Sequence, residues 1–340
     1  MDPNQIDSYQ CSVKLYETVL LKARKQILQN PPPYLFPLTC DEIRNTNKMA
    51  VIIDPRYDDL MEAVILNFMH FMVPEGWIFM IISAEQHRQT IKQRFPQAIF
   101  KSIDDNQLYY NTENPSEPQL SIENYNNILM NPEFWNQIPC ENITIFQKDC
   151  VMYRMFSEDW ELKYAFSGAR CFYTQDSSLI NGLINGGFSI RNKTAMLNCL
   201  KYITWETIEF YRTNNFTCDQ YFPIEKRNED VFFTYACEIL HCPLPKLPCH
   251  KQLATECEFF LGTSVFHGWT KIGYQIESHA NTILSYSPFF SKYLSQTPPE
   301  PPTLEEKQQP EKENIQVQIF DLPDKSKPEI RLDFSPTTTF

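Results

Sequence analysis

The stretch Asn142-Ile-Thr-Ile-Phe-Gln-Lys-Asp149-Cys-Val-Met-Tyr153 decides how this chain is read. Its apolar run predicts a buried strand over Ile143–Phe146, with polar residues following at the strand's carboxyl end. Ligands of open α/β sheets bind at that end, which makes Asp149 a candidate for holding a metal or a phosphate. An Asp after a strand is about as often a turn former, and one carboxylate alone does not separate the two readings.

Upstream, Lys48-Met-Ala-Val-Ile-Ile-Asp54 reads as the first strand, and a helix follows with Leu60, Met61, Val64, Ile65, Phe68 and Met69 on one face. Trp77 to Ile82 predicts a second strand, Glu85 to Arg94 a helix, and Gln97 to Phe100 a third strand, the period of an open parallel sheet. No Gly-rich phosphate loop accompanies it. Asp54-Pro-Arg-Tyr57 has nothing that lets the backbone close on a pyrophosphate. Before the sheet, Ser12 to Gln29 spaces Val13, Tyr16, Leu20, Ala23 and Ile27 as an amphipathic helix, and Pro31 to Pro33 ends it.

Beyond Asp104 the chain is polar and irregular to Gln119. Short helices over Ser121–Met130 and Pro132–Ile138 follow, with Trp135 as a core anchor. After the central strand, Trp160 to Phe166 is ambiguous and Gln175 to Asn181 reads as loop. Ile184 to Ile190 reads as turn and strand, and Arg191 to Tyr202 as helix. Asn228 is placed to cap a helix through Leu240, where Glu229 and Asp230 in the first turn are favoured by the macrodipole alone. From Pro298 the Pro-rich and Lys/Glu/Gln-rich composition reads as a disordered tail, with one edge strand possible at Ile315–Phe320. The expected organisation is a helical extension and Pro-rich spacer over 1–47, an α/β domain over 48–294 and a tail over 295–340.

Composition bounds the function classes. The chain has 340 residues, 42% of them hydrophobic, which supports a real core. A formal charge of −12 with scattered Lys and Arg argues against nucleic acid as a partner. The polar N-terminus lacks the pattern of a signal peptide, and no apolar run approaches the roughly 20 residues of a membrane span. Eleven cysteines in mixed contexts fit reduced thiols, and a cytoplasmic location is expected. Of eight glycines, seven lie between Gly168 and Gly273, marking tight turns or close backbone approach to a ligand there.

A zinc site from Cys237, Cys242, Cys249, His250 and Cys257 lacks C-x2-C or H-x3-H spacing. No cysteine has a recognisable setting as a nucleophile. Sugar transfer from a nucleotide diphosphate needs neutralisation of the departing charge and a base for the acceptor hydroxyl, and Asp149, Glu229, Asp230 and His267 are the side chains available. His267, between Phe266 and Gly268-Trp269, is otherwise a hydrogen-bonded histidine in a turn.

Six blocks, Val51–Tyr57, Tyr125–Trp135, Ile145–Cys150, Asn185–Arg191, Asn228–Asp230 and His267–Trp269, resemble in order and spacing a family of poorly characterised glycosyltransferase-like domains related to GT-A nucleotide-sugar transferases. The resemblance implies a GT-A-like, Rossmann-like α/β fold with a mostly parallel central sheet flanked by helices. It also implies a nucleotide-sugar donor and a glycan or protein hydroxyl acceptor. By the same resemblance, Asp54, Arg56 and Tyr57 meet the nucleotide, with Arg56 and Tyr57 the main contacts, while Asn185, Gly186 and Gly187 form a turn beside the donor sugar. Glu229 and Asp230 are the acidic pair near the acceptor. Asp149 and His267 hold a divalent cation, Mn2+ or Mg2+, and Lys148 faces the diphosphate. The chain departs from the family's D-x-D motif in having Gln147 at the first carboxylate, and a non-catalytic relative that binds nucleotide sugar or glycan is the alternative.

Overall fold

The computed structural model describes residues 17–32, 35, 46–110, 112, 115–170, 182–215, 227–246, 253–256, 263–267 and 287–294. The expectations for the 175–181 loop, for Cys249, His250 and Cys257, for Gly268-Trp269 and for the tail with its 315–320 strand lie outside these residues.

A helix over residues 17–29 (α1) precedes β1 (Lys48–Ile53), α2 (Asp59–Met72), β2 (Ile78–Ser83), α3 (Arg88–Arg94) and β3 (Ile99–Ser102). A hairpin of β4 (Leu108–Tyr110) and β5 (Pro118–Leu120) leads into α4 (Ile122–Leu129), α5 (Pro132–Asn136), β6 (Asn142–Phe146), β7 (Cys150–Met152) and α6 (Glu158–Glu161). Then come β8 (Phe166–Arg170), β9 (Ile184–Asn192), α7 (Lys193–Tyr202), α8 (Trp205–Asn215) and α9 (Glu229–Ile239). Strands β10 (Ala254–Glu256) and β11 (Val265–His267) and helix α10 (Pro288–Leu294) follow.

The central sheet runs β3-β2-β1-β6-β9-β8, and β3, β2, β1 and β6 are parallel. Strand β9 is antiparallel to β6, and β8 antiparallel to β9. The architecture is thus α/β with a mainly parallel central sheet, as the sequence implies. Alternation along β1 sends Ala50 and Ile52 into one apolar layer with α1, α2 and α10, and Met49, Val51 and Ile53 into another with α4, α5, α7 and α9. A small sheet β10-β11-β7 packs beside the first layer. It is tied to α2 by Asn67, whose buried side-chain amide donates to Met152 O (3.0 Å) and accepts from Met152 N (2.7 Å).

Sequence signals explain the helix starts. Asp58 caps α2 by accepting from Met61 N at 2.8 Å, Ser121 caps α4, and Asn192 caps α7. Glu62, buried on α2, accepts from Arg24 of α1 (3.0 Å) and from the Tyr57 hydroxyl (3.2 Å), and pairs with Arg94 of α3 (2.7 Å). Three segments differ from expectation. Residues 104–119 contain the β4–β5 hairpin, whose Leu108 and Leu120 reach the core. Residues 184–192 form one continuous strand, so Arg191 lies in β9 and not in a helix. The ambiguous 160–166 stretch ends α6 and enters β8. No helix among the described residues is long and apolar enough to cross a membrane.

Glu161, at the end of α6, is only 6% exposed, and burial pushes its carboxyl up to about 7, the Ser167 hydroxyl opposing this. A carboxyl whose pKa rises on folding binds its proton more tightly in the native state, so its contribution to stability falls as pH rises from about 4.5 to about 7. The loss is on the order of 3 kcal/mol for such a shift. Glu161→Gln is expected to flatten that part of the stability-versus-pH curve, read by denaturant unfolding at pH 5 and pH 8.

Candidate functional site

β1 and β6 are parallel neighbours, but β1 leads through α2 to β2 on one side while the chain after β6 goes on to β9 on the other. The carboxyl ends of two such strands flank a crevice that no crossover covers. A cleft of about 720 Å³ opens there. Its walls are the turn after β1, the turn after β6, the Asn185–Gly187 segment of β9, the start of α9, His267 of β11, and a far wall from β5 and α4. Of the residues named from the sequence, Asp54, Arg56, Lys148, Asp149, Asn185, Gly186, Gly187, Glu229, Asp230 and His267 all line it. Tyr57 does not, because its hydroxyl is drawn onto Glu62.

The two cations stand on the β1 and β6 side, each already paired. Arg56 closes a fork on Asp54, Nε to Oδ1 and Nη2 to Oδ2 both at 2.9 Å, while Arg56 N also donates to Oδ1. That hydrogen bond raises the guanidinium's pKa. Lys148 pairs with Asp58, the cap of α2. Burial works upward on Asp58, but Lys148 and the Met61 N–H hold its carboxyl below the ordinary range. Gln147, Lys148 and Asp149 lie in the turn between β6 and β7 and not on a strand, so strand alternation does not put Lys148 and Asp149 on opposite faces.

Asp149 Oδ1 is 3.6 Å from His267 Nε2, and with Cys150 Sγ these ligand atoms lie within 4.8 Å of one another. The Cys150 thiol donates to Gly187 O at 3.2 Å. One carboxylate and one imidazole at this spacing fit a shared divalent cation, with the rest of its shell left to ligand oxygens and water. Gly187 packs so closely on the His267 ring that a Cβ there would overlap it, and a Cβ on Gly186 would collide with Glu229. Neither glycine has positive φ, so the expected turn is replaced by a flat strand whose missing side chains make room.

The floor is set by a buried ion pair that the sequence reading missed. Arg191, 0% exposed, donates to Ser189 Oγ (2.9 Å) and forks onto Glu229, Nη1 to Oε2 at 2.8 Å and Nη2 to Oε1 at 3.1 Å. Phe166, Phe233 and Trp135 ring its guanidinium at 4.8, 5.5 and 5.9 Å. The available signal was a lone arginine in the apolar run Phe188-Ser-Ile-Arg191 and an acidic pair 38 residues on. Glu229 is therefore occupied as a clamp. Asp230 accepts from Gly186 N (3.1 Å) and Val231 N (2.8 Å), and burial, then the Glu229 charge, pushes its carboxyl up to about 7.

A family model described as a protein of unknown function (DUF5672) matches residues 110–271. No curated protein matches the chain. Solved structures similar to it include the galactosyltransferase LgtC in complex with donor and acceptor sugar analogues, at 10% identity, covering 70% of this chain and 95% of that one with a TM-score of 0.42. An active-site mutant of LgtC matches at 9% identity over 65% and 86%, TM-score 0.42. Mouse xyloside xylosyltransferase 1, apo form, matches at 10% identity over 66% and 98%, TM-score 0.42.

Arg191→Met leaves Glu229 buried without its partner and is expected to cost about 3–5 kcal/mol in denaturant unfolding. The double variant Arg191→Met, Glu229→Gln is expected to recover a large part of that loss. A double-variant loss equal to the sum of the Arg191→Met and Glu229→Gln losses would show that the pair is not coupled.

Proposed function

We propose that the cleft binds a nucleotide-diphosphate sugar and transfers its sugar to a hydroxyl of a glycan or protein acceptor. The observation that carries this reading is the meeting, at the carboxyl ends of β1 and β6, of two cations, an Asp–His pair and a carboxyl with a pKa near neutrality. The resemblance of the six sequence blocks to GT-A-like domains supports it independently.

Transfer breaks the bond from the anomeric carbon to a diphosphate oxygen and forms one to the acceptor oxygen. Negative charge develops on the departing diphosphate, and Arg56 and Lys148 neutralise it. Asp149 and His267 would hold a divalent cation, Mn2+ or Mg2+, which would supply Lewis acidity when bound. Asn185, Gly186 and Gly187 form the floor under the donor sugar. Asp230 takes the acceptor hydroxyl's proton, and a carboxyl pushed up to about 7 by burial and the Glu229 charge is a better proton acceptor than an ordinary carboxylate. Glu229 holds Asp230 in place through Arg191. The Gln147 substitution favours a second reading, a relative that binds donor without turnover.

Incubation with a panel of nucleotide sugars under Mn2+, Mg2+ or chelator, following nucleoside diphosphate release, tests the proposal. Turnover is expected to fall as pH drops through about 7, where Asp230 becomes protonated, and to fall about 100-fold or more in Asp230→Asn. Donor bound without release would favour the second reading, and no donor bound would sink both. Asp149→Ala is expected to lose metal-dependent donor binding at unchanged thermal stability. Normal donor binding with a lowered Tm would make Asp149 a turn residue only.

A further inference from the structure

The cleft is chemically divided. Its lysine and arginine, Lys148 and Arg56, both belong to the β1–β6 side. On the opposite wall, from β5, α4 and the cap of α9, no described residue that lines the cleft is a lysine or arginine; exposed Arg227, next to the cap, is not among them. The wall presents amides instead: Gln119, Asn126 and Asn228.

Asn228 holds the N-cap position of α9 with extended backbone (φ −74°, ψ 142°), where an asparagine ordinarily accepts from the helix's first turn, yet its side chain makes no such bond. Its Oδ1 instead accepts from Asn126 Nδ2 at 3.2 Å, while Asn126 Oδ1 accepts from Glu229 N at 3.3 Å. The capping duty has passed to an amide on α4, which leaves the Asn228 NH2 without a protein partner among the described residues. The Gln119 amide likewise has none. At the boundary between the two halves lies the buried Tyr125 hydroxyl, close to Gln147.

Two exposed apolar side chains stand near these amides, Ile122 in the cleft lining and Tyr109 on the hairpin. Ile122 is 76% exposed, and Tyr109, 49% exposed, stands opposite Gln119 in the β4–β5 register, so the two side chains leave the hairpin on the same face. Planar amides that both donate and accept match vicinal sugar hydroxyls, and an aromatic or aliphatic rim matches the C–H face of a pyranose ring. An anionic glycan would find no cation on this wall and would face the Asp230 carboxyl.

We infer that this wall binds the acceptor and that the acceptor is a neutral oligosaccharide, not a peptide and not an acidic glycan. The inference rests on the donor reading above, since that reading puts the diphosphate on the cationic side and leaves the amide wall for the second substrate.

Titration calorimetry and saturation-transfer NMR on the full chain test it. The probes are lactose, maltotriose and chitotriose, with sialyllactose and a Ser/Thr-rich peptide as contrasts, each with and without UDP or GDP. Neutral saccharide binding is expected to weaken about tenfold in Gln119→Ala and in Asn228→Ala, the loss of a well-placed hydrogen-bond partner. Nucleoside diphosphate affinity is expected to be unchanged in both variants and Tm unchanged in Gln119→Ala, whereas Asn228→Ala also loses the bond from Asn126 and is expected to lower Tm slightly. Tyr109→Ala, an exposed site on the hairpin, is expected to weaken saccharide binding alone. Diphosphate binding without neutral saccharide binding, preferential binding of the peptide or of sialyllactose, or saccharide binding indifferent to all three variants would overturn the inference and leave the donor reading intact. Absence of diphosphate binding would strike the donor reading itself.

Discussion

A guanidinium cut off from water is costly to bury unless its charge is paired and its N–H groups are satisfied, and Arg191 meets both conditions through Glu229 and Ser189. Much of the cleft follows from that requirement. Arg191 is on β9 and Glu229 opens α9, so the fork sets how closely the helix start approaches the sheet. Asp230 is the next residue along, and its carboxylate is therefore delivered to the cleft floor, where Gly186 N meets it. Close approach leaves no room for a Cβ at Gly186, and the His267 ring takes the space that a side chain on Gly187 would fill. Gly186 and the placement of Asp230 thus follow from the buried ion pair, while Gly187 makes room for a histidine from another sheet.

The cationic side is built differently, since its charges are held in pairs that a ligand can rearrange. Arg56 is locked to Asp54 by two side-chain hydrogen bonds and a backbone one, a unit that gives the turn after β1 its shape. Lys148 is held only by Asp58 Oδ2, whereas the α2 cap uses Oδ1. The lysine can therefore leave Asp58 without unwinding α2, and its long stem gives it reach. Lys148 is thus held by one carboxylate oxygen and the Arg56 guanidinium by a two-bond fork, so the lysine is the less constrained of the two cations.

Periodicity carries most of the fold. The apolar runs of β1, β2 and β6 and the α2 face needed no tertiary information, because their layers bury them in the pattern their own spacing sets. The hairpin at 108–120 was not legible, since two three-residue strands of mixed polarity hold together through each other and through Leu108 and Leu120 on the core. Asn185-Gly-Gly read as a turn because glycine usually signals backbone freedom; here it signals steric room, which depends on Glu229 and His267, far along the chain. The same long range hid the Arg191–Glu229 fork. The site residues drawn from the blocks meet in one cleft because those blocks end strands or begin helices at the switch point. Tyr57 is the exception, as a carboxylate only five residues on, at Glu62, takes its hydroxyl.

The turn Gln147-Lys148-Asp149 now reads differently from a damaged two-carboxylate motif. A pair of carboxylates at the end of β6 would raise the negative charge of the cleft and need a tightly held cation to offset it. This chain places one carboxylate beside an imidazole, with Lys148 already paired to Asp58, so the turn carries less negative charge than a two-carboxylate motif would. With two protein ligands a divalent cation gains much of its coordination from diphosphate oxygens. On the proposed reading, metal and donor would then bind as one unit, since Asp149 and His267 by themselves leave most of the coordination shell to other oxygens.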